Sequence, residues 1–514
     1  MPQSATKTLE VQADLDDGSA WPTTGSTTAP VANGVMPSNP SSQMLVADIQ
    51  PNGDMEMDTM NVYVVGGKSP SREKYTAMEA VSEHTQTRFD AKGELEQGPS
   101  TRAPKDRYLI AVIIFAIHGI GTLYPWNSFI TAEKYFTEHK FANVSDDTEY
   151  KDKFISYLGI GGFIPNVTFL FIALFFPPKS SRFSTFGGLF VMFVLFIITT
   201  ILAIVDSSGW PELFFGITMA TIVIFNAASA VYQSGMYALA AKLPEGYTQS
   251  YIVGQGIGGT FVAVLSIMSI TFAGSLRSAA IGYFCCAVLV LLICLITYAM
   301  LFKLPIIKHY LGLVTMVTND KETEAAEDDP SNQSPPLWTI FKQIKMQVFN
   351  IWLTFVVTLA IFPVVLAGIP SVAENPSYFQ EVYFIPLCCF FTFNLGDFFG
   401  SVLPAWFRWK WSSYTWLLVV SRLLFYPIFI FCNYRPDRRT IPVLINNDYA
   451  YAFLVVIMSV SNGYLKTVIM MDGPKMVSNP NWAGKAASMM VFFLILGIFC
   501  GIQFSLFFPW IVSL

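Results

Sequence analysis

The sequence predicts an all-α integral membrane protein. Eleven transmembrane helices stand six and five on either side of a polar linker, with the N-terminus cytoplasmic and the C-terminus extracellular. Three observations lead there. First, the 514 residues are 53% hydrophobic and 15% aromatic but only 13% charged, with a mean hydropathy of +0.48. A soluble domain of ordinary composition carries about a quarter charged residues. Second, the apolar residues come in blocks long enough to cross roughly 30 Å of hydrocarbon. Third, Lys and Arg fall unevenly on the loops between those blocks, which is the signal that sets topology.

Residues 1–106 hold 15 Asp/Glu against 8 Lys/Arg and are rich in Ser, Thr, Pro and Gly. Such a segment buries too little apolar surface to fold, so it reads as a disordered, acidic cytoplasmic tail. It has neither the basic start nor the apolar run of a cleaved signal peptide, so the first membrane helix is expected to direct insertion. The helices are expected at 109–130, 154–176, 183–205, 213–241, 250–273, 279–302, 348–370, 379–404, 412–432, 449–471 and 486–510. They group into a six-helix bundle (107–302), a cytoplasmic linker (303–347) and a five-helix bundle (348–514). The linker contains the polar run "NDKETEAAEDDPSNQSPP" (319–336). A polar linker between two helical halves is a feature of secondary transporters, whose substrate site lies between the halves.

With the N-terminus inside, the inner loops hold about 15 Lys/Arg and the outer loops about 8. The sequon Asn143-Val144-Ser145 then lies in an outer loop, where Asn143 is a glycosylation acceptor. The seven cysteines lie in or beside apolar runs without disulfide or zinc spacing and read as buried thiols. No P-loop, metal-ligand cluster or nucleophile motif is present, and no cofactor is implied. Without a basic patch, nucleic acid is not an expected partner. The expected surroundings are a lipid bilayer.

Polar side chains inside a membrane are costly and mark cavities or partners. Helix 1 carries Pro125, Trp126 and Asn127 together, whereas Tyr135 and Phe136 beyond it read as an interfacial aromatic belt. His118 reads as a packing residue. In helix 4, Asn226, Ser229, Gln233 and Tyr237 recur at steps of three and four, on one face. Helix 5 opens with "VGQGIGGTF", which matches G-x-G-x-x-G but sits in an apolar helix with no strand before it. Gly254 and Gly258 are better read as a small-xxx-small packing pair, and Gln255 as a residue that can face the path.

Helix 8 carries the densest stripe, Phe390, Asn394, Asp397 and Ser401. The intramembrane carboxylate Asp397 marks a functional site, the competing reading being an ion pair with Arg422 or Lys466. In helix 10, Asn462-Gly463 is expected to loosen the helix. Pro165, Pro363 and Pro386 are expected to free carbonyls and kink their helices. Aromatic faces, amides and one carboxylate suit a flat, neutral, hydroxylated ligand.

Four separated stretches then coincide with one family. They are "DRY…GIGTLYPWNSFITA", "LPEGYT…GQG", "FFTFNLGDFFG" and "SNGYL". Over roughly residues 105–512 the sequence resembles the equilibrative nucleoside transporters. The resemblance implies a major-facilitator-like arrangement and facilitated diffusion of purine and pyrimidine nucleosides, such as adenosine and uridine, with nucleobases as a further class. It also implies a transporter rather than an enzyme, working as a monomer in the plasma membrane, with an endosomal or lysosomal membrane as the alternative. Leu123, Trp126, Asn127 and Ile130 are implied to border the nucleoside, Gln233 to meet the base edge, and Asn394 and Asp397 to meet base and ribose. Phe362 and Phe390 are implied as walls, and Phe163 and Asn166 match lining positions less closely.

Two departures stand out. The nucleoside-transporting members generally carry Arg one turn after the helix-8 Asp, whereas this chain has Ser401, whose hydroxyl is expected to serve a substrate hydroxyl. An Asp397 left unpaired would favour its protonated form, which opens proton-linked transport as an alternative. Ser229 replaces a Gly of inhibitor-sensitive members and is expected to crowd bulky analogues. A related branch moves monoamines and other organic cations. Loss of the helix-8 Arg suits that branch, but Trp126 and Gln255 do not, since it carries "PYN" and a Glu there.

Overall fold

The computed structural model describes residues 44–48, 61–65, 104–142, 153–176, 181–272, 274–312, 337–373, 375, 377–408 and 414–513. Asn143 and the polar run 319–336 lie outside these residues.

Within the tail, Met44–Asp48 and Asn61–Val65 pair as antiparallel strands, Met44 opposite Val65. Reading 1–106 as lacking regular structure made no provision for them. Both are short β-favouring runs, "MLVAD" and "NVYVV", whose alternating residues suit a pleated pair.

The other described residues are mainly helical. The helices are α1 (Ile110–Thr131), α2 (Phe154–Phe175), α3 (Ser181–Ile204), α4 (Pro211–Ala240), α5 (Glu245–Phe272) and α6 (Leu276–Leu301). After the linker come α7 (Leu337–Ile361), α8 (the consecutive segments Tyr378–Phe384, Ile385–Phe391 and Thr392–Val402) and α9 (from Thr415–Ser421 through Arg422–Leu424 to Phe425–Ile430). The last two are α10 (Asp448–Asp472) and α11 (Ala483–Ser505). Among the described residues, ten helices are long and apolar enough to span a membrane, and Thr415–Ile430 is a shorter apolar helix. The chain is thus a multi-pass membrane protein.

Local chemistry explains several boundaries. α7 starts at Leu337, inside the expected linker, because Ile340, Ile344 and Val348 are buried one turn apart while Lys342 and Lys345 face outward. The prolines act differently from one another. α1 and α2 run unbroken through Pro125 and Pro165, whereas α7 ends just before Pro363. α8 widens to a π-helical segment over Ile385–Phe391 that contains Pro386, and the Thr392 hydroxyl donates to the Leu387 carbonyl at 2.8 Å. Tyr135 and Phe136 are not an interfacial belt. Both are buried, with Phe136 stacked on Phe154 at 4.9 Å and the Tyr135 hydroxyl donating to the Ala203 carbonyl at 3.3 Å.

Glycines set the closest helix crossings. A Cβ on Gly254 would lie 2.0 Å from the Ala116 carbonyl oxygen, and one on Gly258 would lie 3.3 Å from Ile120, so this pair does pack α5 against α1. Contacts between the two halves run mainly through α5 with α8 and through α2 and α4 with α11. That places α1, α4, α5, α8 and α10 around the region where the polar side chains gather.

Candidate functional site

On α1, Leu123, Trp126, Asn127 and Ile130 form one half-buried stripe, while Thr122, Tyr124, Pro125, Ser128 and Phe129 between them are buried. The Trp126 indole lies against Gly162 of α2, where a Cβ would meet it at 2.3 Å, and edge-on to Phe163 at 5.4 Å. Asn166, one turn further along α2, is buried with its amide oxygen lacking a hydrogen-bond partner.

The α4 face is buried as a unit: Asn226, Ser229, Gln233 and Tyr237. Asn226 donates to its own helix at the Ile222 carbonyl, 2.9 Å away, while Gln233 makes no hydrogen bond among the described residues. The Tyr237 hydroxyl donates to Gln255 Oε1 at 3.2 Å. Gln255 is therefore engaged by α4. His118 is a packing residue, with Nδ1 2.7 Å from the Tyr232 hydroxyl.

On α8, Asn394 Nδ2 donates to the Phe390 carbonyl at 2.8 Å, and its Oδ1 would sit 2.2 Å from a Cβ on Gly259. Phe362, just past α7, stacks on Phe393 at 3.8 Å and meets Phe390 edge-on at 5.8 Å. Phe362 and Phe390 thus belong to one aromatic cluster.

Asp397 is paired. Its Oδ2 accepts from Lys466 Nζ of α10, and its Oδ1 accepts from Asn462 Nδ2 at 2.7 Å. The premise of an unpaired carboxylate, from which proton linkage followed, is therefore overturned: a cation reaches Asp397 from a neighbouring helix rather than from its own. Ser401 is fully buried and donates its hydroxyl proton to the Asp397 carbonyl at 2.8 Å, so in this arrangement that proton is committed to backbone. Asn462-Gly463 does not loosen α10, which is helical throughout Asp448–Asp472. Gly463 instead lets α8 cross closely, since a Cβ there would lie 2.0 Å from the Asp397 carbonyl oxygen.

Behind this centre stands Arg422 of α9. It is 2% exposed and donates to Ser461 Oγ, to the Met458 carbonyl at 3.1 Å and to Thr358 Oγ1 at 2.7 Å. Thr358 Oγ1 in turn lies 2.7 Å from both Asn462 Oδ1 and the Thr354 carbonyl, with one proton to donate between them. Arg422 thus reaches Asp397 through Thr358 and Asn462 rather than directly. Thr358 went unnoticed in the sequence because a threonine in an apolar helix is usually bonded to its own backbone. With two cations and one anion in this cluster, the positive charge that Ser401 lacks is supplied from elsewhere, which removes the opening for a cationic substrate. Among the described residues no cluster of His, Cys, Asp and Glu forms a metal site.

At the end of the bundle that carries the linker, Glu245 of α5 accepts from Arg408 and Lys475, and Arg408 also pairs with Asp472. Gln249 adds bonds of 3.2 Å to the Ser401 and Val402 carbonyls. At the other end, Thr271 and Tyr383 join α5 to α8 by one hydroxyl pair at 2.9 Å.

Residues 219–510 match the family model described as nucleoside transporter. Equilibrative nucleoside transporter 1 of Homo sapiens is 32% identical over 461 residues, covering 80% of this chain and all of its own length. Equilibrative nucleoside transporter 3 of Rattus norvegicus is 31% identical, covering 78% of this chain and 89% of its own. Equilibrative nucleoside transporter 2 of Homo sapiens is 30% identical over 79% and 98%. Among solved structures, the human organic anion transporter MFSD10 aligns with 80% of this chain and 96% of its own at 15% identity and a TM-score of 0.47, below the level that marks a shared fold. On the family model and the sequence relatives together, the chain belongs to the equilibrative nucleoside transporter family.

Proposed function

We propose that this protein carries nucleosides across its membrane by facilitated diffusion, its two halves exposing one central site alternately to either side. It is a transporter and not an enzyme. The observation that carries this reading is that a held carboxylate, Asp397 of α8, and the buried neutral α4 face of Gln233 and Tyr237 are joined across α5, where Gln255 accepts from Tyr237 and Gly256 meets Phe398 beside Asp397. A carboxylate accepts from ribose hydroxyls, and a free amide offers a donor and an acceptor to a base edge, as it does for adenine.

On this reading Leu123, Trp126, Asn127 and Ile130 line the path from α1, Asn394 meets the base from α8, and Phe362 and Phe390 form a wall. Ser401 acts on the substrate only indirectly, by holding the α8–α10 crossing. Thr415–Ile430 is taken as the ninth of eleven spans, so the termini lie on opposite sides, the N-terminus inside and the C-terminus outside on the Lys/Arg distribution, in a six-plus-five, major-facilitator-like layout. The linker end is then cytoplasmic, and the ion pairs around Glu245 close that side. Opening it requires breaking those pairs. The protein acts as a monomer in the plasma membrane, with Asn143 glycosylated outside and Ser229 weakening bulky nucleoside inhibitors.

Uptake of labelled adenosine, uridine and a monoamine into transporter-deficient cells tests the substrate class. Saturable entry of both nucleosides without the amine is the expected result. Entry of the amine alone overturns it.

A further inference from the structure

We propose that Lys466 is a specificity-determining residue that contacts the substrate: from α10 it supplies the donor half of a centre, shared with Asp397, that reads the vicinal hydroxyls of the sugar. This rests on the nucleoside reading above and deepens it.

The argument begins with what α8 lacks. One turn after Asp397 stands Ser401, uncharged, fully buried and bonded to backbone. Its hydroxyl also lies 3.5 Å from the Gly463 carbonyl at the α8–α10 crossing. The cation beside Asp397 therefore comes from a position 69 residues away in sequence.

The two cations of the cluster differ in what they have left to give. Arg422 is 2% exposed and bonds Ser461, Met458 and Thr358; its Nε–H has no partner among the described residues but is buried out of a ligand's reach. Lys466 and Asp397 keep 9% and 10% of their side chains accessible. An ammonium group has three N–H donors, and among the described residues Lys466 uses them on Asp397 alone. Each Asp397 oxygen accepts one bond, from Asn462 or from Lys466, and retains a lone pair. An acceptor-rich group and a donor-rich group thus stand side by side with unused capacity. A hydroxyl both donates and accepts, so a vicinal diol satisfies the pair in full.

Thr358 fixes the carboxylate side of this centre. Its hydroxyl faces Asn462 Oδ1 while the amide Nδ2 donates to Asp397, which makes Asn462 a positioning residue; the Thr358 proton is shared between that oxygen and the Thr354 carbonyl. Lys466, on a flexible four-carbon stem, is the adaptable member.

The test is uptake of uridine and of 2′,3′-dideoxyuridine by the full-length protein in transporter-deficient cells, with surface expression measured for each variant. A site that hydrogen-bonds a hydroxyl rejects the analogue lacking it, so the wild type is expected to prefer uridine. Lys466→Met is expected to lower uridine uptake by about ten- to a hundredfold and to bring the preference near unity. Lys466→Arg is expected to retain the preference. Lys466→Ala combined with Ser401→Arg, which returns a cation to α8, is expected to exceed Lys466→Ala alone.

If Lys466→Met fails to reach the surface, the double variant Asp397→Asn/Lys466→Met, which removes both charges together, is compared with Asp397→Asn alone. A preference lost in the double variant beyond that of the single one decides for Lys466. Surface expression of Lys466→Met with the preference lost supports the proposal. An intact preference in either variant overturns it and leaves Lys466 as a mere counter-charge. Absence of any nucleoside uptake by the wild type overturns the nucleoside reading itself, which is a different result.

Discussion

Inside helices α1–α6, several buried polar side chains pair as neutral groups: His118 with Tyr232, Thr122 with Tyr251, Tyr237 with Gln255. A buried cation of that half, Lys140, lies beyond the end of α1 and donates to the Leu202 and Val205 carbonyls. In the half built from α7–α11, Asp397, Lys466 and Arg422 are linked through Asn462 and Thr358 into one charged cluster. The difference has an energetic reading. A neutral hydrogen bond contributes about 0.5–1.5 kcal/mol, whereas removing one partner of a buried ion pair costs about 3–5 kcal/mol. One half therefore holds a rigid charged centre, and the other offers bonds weak enough to exchange for a ligand's.

Substitutions that break this contrast are graded accordingly. Asp397→Ala has the largest effect, because it leaves Lys466 and Arg422 without a counter-charge. It is expected to destabilise by about 3–5 kcal/mol and to abolish uptake, read by thermal unfolding in detergent and by transport. Thr358→Val keeps shape but strands an Arg422 N–H and the Asn462 amide oxygen, at about 1–3 kcal/mol for each unsatisfied group. The melting temperature is expected to fall and uridine uptake to weaken. Gly463→Ala drives a methyl into the Asp397 carbonyl and is expected to cost about 1–3 kcal/mol by overpacking, seen as lower surface expression. Tyr237→Phe, in the neutral half, is expected to cost about 0.5–1.5 kcal/mol. A Tyr237→Phe effect as large as that of Asp397→Ala would erase the distinction between the halves.

The division between what the sequence displays and what it hides is physical. Hydropathy marks membrane helices because each must match the bilayer, so the blocks at 154–176 and 449–471 return as Phe154–Phe175 and Asp448–Asp472. Spacing of three and four marks a shared face, so Asn226, Ser229, Gln233 and Tyr237 are buried together. What periodicity within a helix does not carry is the pairing between helices. Lys466 and Arg422 were legible as candidate partners of Asp397, but not that one binds it directly and the other through Thr358 and Asn462. The first turns of α7 were hidden because Lys342 and Lys345 lower the hydropathy of an amphipathic start. Tyr135 and Phe136 were misplaced because an aromatic pair at a helix end looks the same in sequence whether it meets lipid headgroups or Phe154 and Ala203.

The central claim is that a charged centre on α8 and α10 receives the sugar of a nucleoside. It is tested most directly by concentration-dependent uptake of labelled uridine through the wild type and through Asp397→Asn at matched surface expression. Saturable wild-type uptake that competes with adenosine and falls by at least about tenfold in Asp397→Asn is the predicted result. Equal uptake by the two proteins would contradict it.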